Sequence, residues 1–170
     1  LDENYNYSNA LCEEITTEDN QMFRITVREA YFSDGSQVTP ADVVYSINSA
    51  RESSSRFSSR LSGIIACYIS EGFVCIETSS TNPRLPALLD FPICKENNRS
   101  IGCGAYVMSN NEGIITLKAN TNWWKGLNMP YDTIYLRGFE SLMELINAFN
   151  SKEIDLVTAD LTASSTLGYS

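Results

Sequence analysis

Residues Met22–Ile47, MFRITVREAYFSDGSQVTPADVVYSI, hold the clearest run of structural signals in the chain. Apolar and polar side chains alternate from Phe23 to Arg28, which is the period-2 pattern of a half-buried strand. The Asp34-Gly35 pair then predicts a tight turn, because glycine accepts a positive φ and aspartate tolerates it. We therefore expect a strand and a turn, and neither contains a catalytic group.

A helix should follow this turn. In the sequence T-P-A-D, Thr39 can cap the helix and Asp42 can return a hydrogen bond to the cap. Pro40 occupies the first helical position, where its missing N–H costs nothing. The apolar face of the helix, which should run to about Arg51, consists of Val43, Val44 and Ile47. Up to this point the sequence predicts a scaffold of strand, turn and helix.

The composition is that of an ordinary globular protein, since 43% of the 170 residues are apolar and 19% are charged. A formal net charge of −9 argues against nucleic acid as a partner, because phosphate-binding surfaces need clustered lysine and arginine. The chain has no histidine, which removes His-based triads, His general bases and His metal ligands. No apolar run approaches the roughly 18–20 residues of a membrane span. We expect no cofactor and no metal site.

The chain has five cysteines, an odd number that leaves at least one thiol free or paired between chains. Cys67 and Cys75 flank a predicted hairpin turn at Glu71-Gly72. They could form a disulfide if the register places them opposite each other, whereas a slip of one residue places them on opposite faces. The commoner role of a cysteine is that of a small buried apolar side chain.

Further elements follow from hydrophobic periodicity and turn residues. Strands are predicted at 64–69, 73–78, 105–109, 114–119, 132–139 and 154–157. Helical segments are predicted around Leu85–Leu89 and after a capping box of Ser141 and Glu144, with an apolar stripe of Leu142, Leu145, Ile146 and Phe149. The polar run 95–100, KENNRS, marks the best internal boundary, and the alternation of strands with helices implies a mixed α/β sheet.

The motif R-x-x-x-F-S-D-G-x-x-V-T-x-x-D-V-V-Y-S over residues 28–46 closely resembles a segment of a known family. That family is the peptide/nickel-type (family 5) extracellular solute-binding proteins of ABC transporters, which includes oligopeptide- and dipeptide-binding proteins. Residues 101–106, IGCGAY, are similar to the G-T-G-P-Y turn of the family, with Cys103 in place of threonine and Ala105 in place of proline. Residues 115–124, ITLKANTNWW, resemble its L-x-x-N-x-x-Y-W segment, and residues 152–157, KEIDLV, its G-E-I-D-L-V strand. The resemblance covers about residues 1–161.

The resemblance implies part of a periplasmic-binding-protein-like clamshell (type II, cluster C), an α/β fold with mixed sheets and flanking helices. Residues 1–98 would form the small extra α/β domain, which corresponds to domain II of this cluster. Residues 99–170 would form the middle portion of lobe I, and the second ligand-binding lobe, lobe III, would be absent. Because members of the family are usually much longer, we expect this chain to be a fragment.

The resemblance also implies a function, the capture of peptides outside the cytoplasmic membrane for delivery to the permease of an ABC transporter. The same fold could instead bind a nickel chelate, an oligosaccharide or another solute, or could serve as a standalone scaffold. The expected location is extracytoplasmic, either as a bacterial cell-surface lipoprotein or in the periplasm. An enzyme is not expected, because Cys103 between two glycines has no histidine to activate it.

Two segments are candidates for ligand contact. In the family, the turn that resembles Gly102, Cys103 and Gly104 lies near the hinge and the cleft, where glycine lets the backbone approach a ligand; alternatively, it merely joins two strands. Phe57 lies where peptide-binding relatives place an aromatic residue that faces the ligand; alternatively, it is a loop residue folded onto the local core. For Trp123 and Trp124 we favour a place in the core, and for Asp34 the role of a turn former.

Overall fold

The structure is a computed structural model, which describes residues 9–126 and 129–157. Four antiparallel strands form its first sheet in the order β1-β2-β4-β3. These strands are β1 (Cys12–Thr17), β2 (Met22–Val27), β3 (Ile64–Ser70) and β4 (Phe73–Thr78). The segments with period-2 alternation are thus confirmed as strands. Residues 1–8, which the family resemblance also covers, lie outside the described residues.

The predicted capping box forms at the start of α1 (Pro40–Arg51). The Thr39 hydroxyl accepts a hydrogen bond from the Asp42 N–H at 3.4 Å, and Asp42 Oδ2 accepts one from the Thr39 N–H at 2.8 Å. Asp42 is buried, and its Oδ1 also accepts from the Glu96 N–H at 2.7 Å. The carboxylate therefore fixes the helix start and also ties it to a segment more than fifty residues away.

The main core lies between the first sheet and α1. Its largest fully buried side chains come from β2, β4, α1, the loop before α1 and two short helical segments; they are Phe23, Phe32, Ile47, Leu61, Ile76, Leu85 and Val74. A 3₁₀ turn (Ser59–Leu61) and a short helix α2 (Leu85–Leu88) close its edges. Cys103 is the last buried apolar residue of this cluster in chain order.

The register of the β3–β4 hairpin decides the question of Cys67 and Cys75. Cys67 pairs with Ile76 and Tyr68 pairs with Cys75, so the two cysteines are offset by one residue and point to opposite faces of the sheet. The disulfide considered for this pair does not form, and all five cysteines are free thiols.

The rest of the chain forms a two-stranded hairpin and a sheet of three antiparallel strands, which we call the second sheet. The polar run 95–100 lies in a hairpin of β5 (Cys94–Lys95) and β6 (Asn98–Gly102). The second sheet has the order β7-β8-β9, with β7 (Tyr106–Asn111), β8 (Ile114–Ala119) and β9 (Thr133–Leu136), and α3 (Leu142–Asn150) follows it. The α/β class is confirmed, although all pairings among the described strands are antiparallel.

Three predictions for the last third need correction. Residues 154–157 form no strand, because a strand exists only through hydrogen bonds to a neighbour and none of the described strands pairs with them. The Ser141 cap accepts from the Glu144 N–H at 3.2 Å, but the Glu144 carboxylate accepts from the Glu140 N–H, so the capping box is only half formed. Within the predicted apolar stripe, Leu142 and Phe149 remain exposed. In the described part of the chain, no helix has the length and apolar character needed to cross a membrane.

Candidate functional site

The turn of Gly102, Cys103 and Gly104 joins β6 to β7 and is held from both sides. The Gly102 carbonyl accepts a hydrogen bond from the Ser33 N–H at 3.0 Å. The Gly104 carbonyl accepts one from the Asn120 side-chain amide at 2.8 Å. Both carbonyls thus have protein donors, and the turn is fixed in place by two segments that are distant in sequence.

Neither glycine of this turn is required by its own backbone conformation, since the positive-φ glycines of the described chain are Gly35, Gly72, Gly113 and Gly126. A Cβ added to Gly104 would meet no atom within 4 Å, and one added to Gly102 would lie 3.9 Å from the Ile93 carbonyl oxygen. The backbone at Gly104 is therefore open to close approach from outside. A ligand at this position stays a prediction.

Cys103, between the two glycines, is buried, and its Sγ–H donates to the Ile93 carbonyl at 3.6 Å. Burial raises the pKa of the Cys103 thiol to about 11. The group is therefore a protonated thiol at neutral pH, which makes it a poor nucleophile. Its position favours packing over direct contact with a ligand.

Phe57 follows α1 in the loop that leads to the 3₁₀ turn, and it is half-buried against the core. Its ring centroid lies 5.9 Å from that of Phe91. The guanidinium carbons of Arg56 and Arg60 each lie 4.7 Å from the same Phe57 centroid. Phe57 is thus folded onto local neighbours, as one of the two interpretations expects, and it also lies beneath two cationic groups. Its contact with a ligand stays a prediction.

The structure places both candidate segments against the same core. Within residues 9–126 and 129–157, no hydrogen bond or aromatic pair joins Phe57 to the Gly102–Gly104 turn. The two segments share only the core, against which Phe57 and Ile101 both pack and to which Cys103 belongs. They are separate positions on one folded unit.

Asn120 is the residue that the sequence analysis overlooked. It is 2% exposed, and its amide donates to the Gly104 carbonyl while its Oδ1 accepts from the Asn122 N–H at 3.0 Å. A buried amide must use its hydrogen-bonding groups, so it fixes the turn that it reaches. The signal was present, because Asn120 matches the asparagine of the family segment L-x-x-N-x-x-Y-W.

The F-S-D-G turn contacts the same region. Gly35 has φ +82° and donates to the Phe32 carbonyl at 2.9 Å, which confirms the predicted turn. Asp34 accepts from the Ser36 N–H and forms an ion pair with Lys95 at 2.7 Å. The hydrogen bond from Lys95, followed by those from Ser36, holds the pKa of the Asp34 carboxyl well below its usual range. Asp34 thus forms and anchors a turn.

The two tryptophans that follow β8, Trp123 and Trp124, pack against each other and against neighbouring side chains. Trp124 lies against the core, with the guanidinium of Arg28 and the ammonium of Lys125 each 5.2 Å from its ring centroid. Trp123 contacts the edge of Trp124, with 6.4 Å between the ring centroids. The arrangement favours the core role that the sequence analysis gave to this pair.

No group of three or more His, Cys, Asp or Glu side chains is placed to hold a metal ion within the described residues. Two shallow, open depressions lie elsewhere on the surface. One is bordered by Arg28 and the β3–β4 turn, and the other by Arg137 and Glu153, which pair with each other at 3.0 Å. Neither includes Phe57 or the Gly102–Gly104 turn.

The sequence profile of the bacterial extracellular solute-binding proteins, family 5 (middle region), matches residues 6–168. This chain belongs to that family. Among curated proteins no match is found. The family consists of solute-binding transport proteins rather than enzymes, and its members are periplasmic or extracellular. The match confirms the resemblance and the periplasmic-binding-protein-like class.

Solved structures show the same fold at low sequence identity. MoaA from A. tumefaciens R10, in complex with mannopinic acid, is 24% identical with a TM-score of 0.75, and the alignment covers 87% of this chain and 34% of MoaA. NikZ from Campylobacter jejuni, in complex with Ni(L-His), is 17% identical with a TM-score of 0.72, and the alignment covers 86% of this chain and 34% of NikZ. The periplasmic murein tripeptide binding protein MppA is 20% identical with a TM-score of 0.71, and the alignment covers 85% of this chain and 35% of MppA. This family 5 chain thus spans about a third of the length of these structures.

Proposed function

We propose that this family 5 chain forms part of one wall of an extracytoplasmic receptor, which captures peptides and delivers them to the permease of an ABC transporter. The observation that carries the proposal is the family match over residues 6–168. The fold supports it, because the chain aligns with the ligand-binding proteins NikZ, MoaA and MppA over more than four fifths of its length.

In this proposal, residues 1–98 form the small extra domain and residues 99–170 the middle portion of lobe I, with lobe III supplied by further polypeptide. A cleft binds tightly when it buries a ligand between two walls. Closure of the hinge would then be driven by the higher affinity of the closed state for the solute. One wall alone should bind only weakly.

The wall would contact the solute through Phe57 and through the backbone of Gly102, Cys103 and Gly104. Two facts support the turn as a contact: it is rigidly held by Ser33 and Asn120, and the space beside Gly104 is open. A fixed backbone is suited to hydrogen bonding along an extended peptide without selecting one sequence. Phe57 would add apolar contact.

A second candidate function keeps the fold and changes the solute. NikZ was solved with a nickel–histidine complex and MoaA with mannopinic acid, whereas MppA is a murein tripeptide binding protein. A nickel chelate, an oligosaccharide or another small solute is therefore the alternative to a peptide. A standalone scaffold is the remaining alternative.

Native mass spectrometry of the receptor purified from its source, followed by denaturation and sequencing of released small molecules, tests the proposal. We expect co-purified peptides of a few residues. Release of a metal chelate or a sugar would overturn the assignment of peptides as the solute, but the proposed role as a receptor would still hold. An intact mass that corresponds to a protein ending near Ser170, with no solute bound, would favour the standalone scaffold. Membrane fractionation with and without lipase would separate a lipid-anchored receptor from a periplasmic one.

A further inference from the structure

The hairpin of β5 and β6 carries an asparagine two residues before a serine. Asn98, Arg99 and Ser100 form the pattern N-x-S, in which x is not proline. In an exported protein this pattern marks an acceptor for N-linked glycosylation, which takes place on a surface loop. The same pattern occurs at residues 6–8, which lie outside the described residues. The structural question is therefore whether Asn98 is presented as such an acceptor.

Asn98 lies in solvent at the tip of the hairpin. Both Asn98 and Ser100 are exposed, and so are Glu96 and Asn97, which form the turn before them. Asn97 has φ +61°, the left-handed conformation that a tight turn uses. Since β5 and β6 form a sheet of two strands, the other edge of β6 has no neighbouring strand among the described residues. This edge is open to an enzyme that binds its acceptor segment in extended form.

Arg99 holds β6 against α1 and thereby fixes the direction of its two neighbours. Its guanidinium donates to the Glu52 carboxylate at 3.0 Å and to the Ser49 hydroxyl at 3.1 Å. Successive side chains of a strand point to opposite faces. Asn98 and Ser100 therefore share the face that points away from α1, on the solvent side of the hairpin.

The groups that a glycosylating enzyme needs are not used by the protein itself. The Asn98 Oδ1 accepts a hydrogen bond from the Ser100 N–H at 3.2 Å, which holds the carboxamide close to Ser100. In the part of the chain that the structure describes, no hydrogen bond uses the Asn98 amide nitrogen or the Ser100 hydroxyl. The buried Asn120 differs, because its amide nitrogen donates to the Gly104 carbonyl. The nitrogen of Asn98 thus remains available to react.

We propose that Asn98 is an N-glycosylation site of the exported protein. The family is periplasmic or extracellular, so the hairpin reaches a compartment in which glycans are attached to exported chains. Glu96 also places an exposed acidic side chain two residues before the acceptor, for an enzyme that reads this position. The inference does not depend on which solute the receptor takes.

The transfer needs a glycan donor, which we assign to the class of oligosaccharides carried on a polyprenyl diphosphate. The Asn98 amide nitrogen attacks the anomeric carbon of the first sugar, and a C–N bond forms. The bond from that carbon to the diphosphate oxygen breaks, and the polyprenyl diphosphate leaves with the electron pair. The amide nitrogen loses one proton to a base of the enzyme. The product is a neutral N-linked sugar on the solvent side of the hairpin.

Peptide mapping of the protein purified from its source tests the site. Digestion after lysine gives the peptide 96–118, in which Asn98 has the only N-x-S or N-x-T pattern, whereas residues 6–8 fall in a different peptide. We expect the mass of 96–118 to exceed that of its amino acids by at least one sugar, and electron-transfer fragmentation to place the sugar on Asn98. A peptide that is wholly unmodified, or modified at another residue, would overturn the proposal and leave Asn98 as a turn former alone.

Substitutions expressed in the same source identify the groups that the enzyme reads. Asn98→Gln should abolish the added mass because it removes the acceptor, and Ser100→Ala because it removes the hydroxyl. Ser100→Thr keeps a hydroxyl and should retain the sugar. Asn97→Gln is the matched control, since it changes the neighbouring exposed amide, and it should also retain the sugar. Far-UV circular dichroism checks that each variant is folded.

Two results with these variants would refute the site. Retention of the sugar in Ser100→Ala would mean that the N-x-S pattern is not what the enzyme reads. Loss of the sugar in a folded Asn97→Gln variant would mean that the acceptor is not defined by Asn98 and Ser100. Neither result bears on the proposed function, because native mass spectrometry of released solutes reports on the cleft and the peptide 96–118 reports only on the hairpin.

Discussion

Residues 9–104 and residues 105–157 contain similar secondary structure but differ in what they bury. The first region closes a core around Phe32, Val74 and Ile76, all of which have 0% exposure. In the described part of the second region, the one buried apolar residue is Ala148. Strands and a helix therefore form in both regions, whereas a core forms in only one.

The second region leaves nine large apolar side chains exposed. These come from the second sheet, α3 and the segments beside them; they are Met108, Ile114, Tyr131, Tyr135, Leu136, Leu142, Met143, Phe149 and Leu156. An amphipathic element needs a second layer to cover its apolar face. Local sequence signals are therefore sufficient for a strand or helix to form, but its burial depends on what packs against it.

The largest expected effect comes from truncating one leucine in each region. Leu61 is 1% exposed and Leu142 is 46% exposed. Leu61→Ala should lower the free energy of unfolding by about 2–5 kcal/mol through lost burial and a cavity, and Leu142→Ala by less than about 1 kcal/mol. Urea unfolding followed by circular dichroism measures both. Similar losses would show that the second region has a core of its own.

The next effect concerns the amide that joins the second sheet to the Gly102–Gly104 turn. Asn120→Ala leaves the Gly104 carbonyl and the Asn122 N–H without a partner, so we expect a loss of about 1–3 kcal/mol. Asn122→Ala removes one longer bond to the Ser33 carbonyl, 3.3 Å, and should cost less. Differential unfolding by urea ranks the two variants. A harmless Asn120→Ala would mean that the two regions are not linked through this residue.

A smaller difference in stability is expected between alanine substitutions at two glycines, Gly35 and Gly104, both of which belong to segments that resemble the family. Gly35 has φ +82°, so Gly35→Ala should cost about 1–2 kcal/mol of backbone strain. Gly104 has room for a methyl group and no positive φ, so Gly104→Ala should change stability by less than about 0.5 kcal/mol. If Gly104→Ala nevertheless impairs solute binding by the receptor, measured by calorimetry, the turn approaches the ligand. Unchanged binding would remove it from the proposed site.

The smallest effect is a dependence on pH from Asp34. Because its pKa is depressed in the folded state by Lys95 and Ser36, this carboxylate contributes stability above the unfolded pKa, about 3.9, and loses it as the pH falls through the lower folded value. The thermal midpoint of Asp34→Asn should therefore fall less between pH 6 and pH 2.5 than that of the natural chain. Asp132→Asn, an exposed change in the second region, is the control. Identical pH profiles for the natural chain and Asp34→Asn would contradict the prediction.

Local features were predictable because their partners lie nearby in sequence. The Thr39–Asp42 capping box, the Asp34-Gly35 turn and the β3–β4 hairpin each depend on residues a few positions apart. The sequence analysis left the register of Cys67 open, although the two-residue turn at Glu71 and Gly72 determines its pairing with Ile76; the irregularity between Ile64 and Ala66 lies beyond this pair.

Tertiary features could not be predicted from the sequence, because the residues that form them lie far apart in the chain. Asn120 acts through a carbonyl sixteen residues away, and no local pattern shows which carbonyl it reaches. Residues 154–157 have a strand-like composition, but no described strand pairs with them. The candidate site depended on family resemblance, and the sequence alone did not show that two arginines stack on Phe57.

The hydrogen bond between Ser33 and Gly102, together with the burial of Cys103, has a consequence for folding during synthesis. A nascent chain that ends before residue 103 lacks the last side chain of its core and the carbonyl that receives the Ser33 N–H. Closure of so long a loop is slow, since its entropy must be lost before the contact forms. Phe32 and its neighbours should therefore stay accessible until the β5–β6 hairpin has emerged, and in that interval the chain is most prone to aggregate.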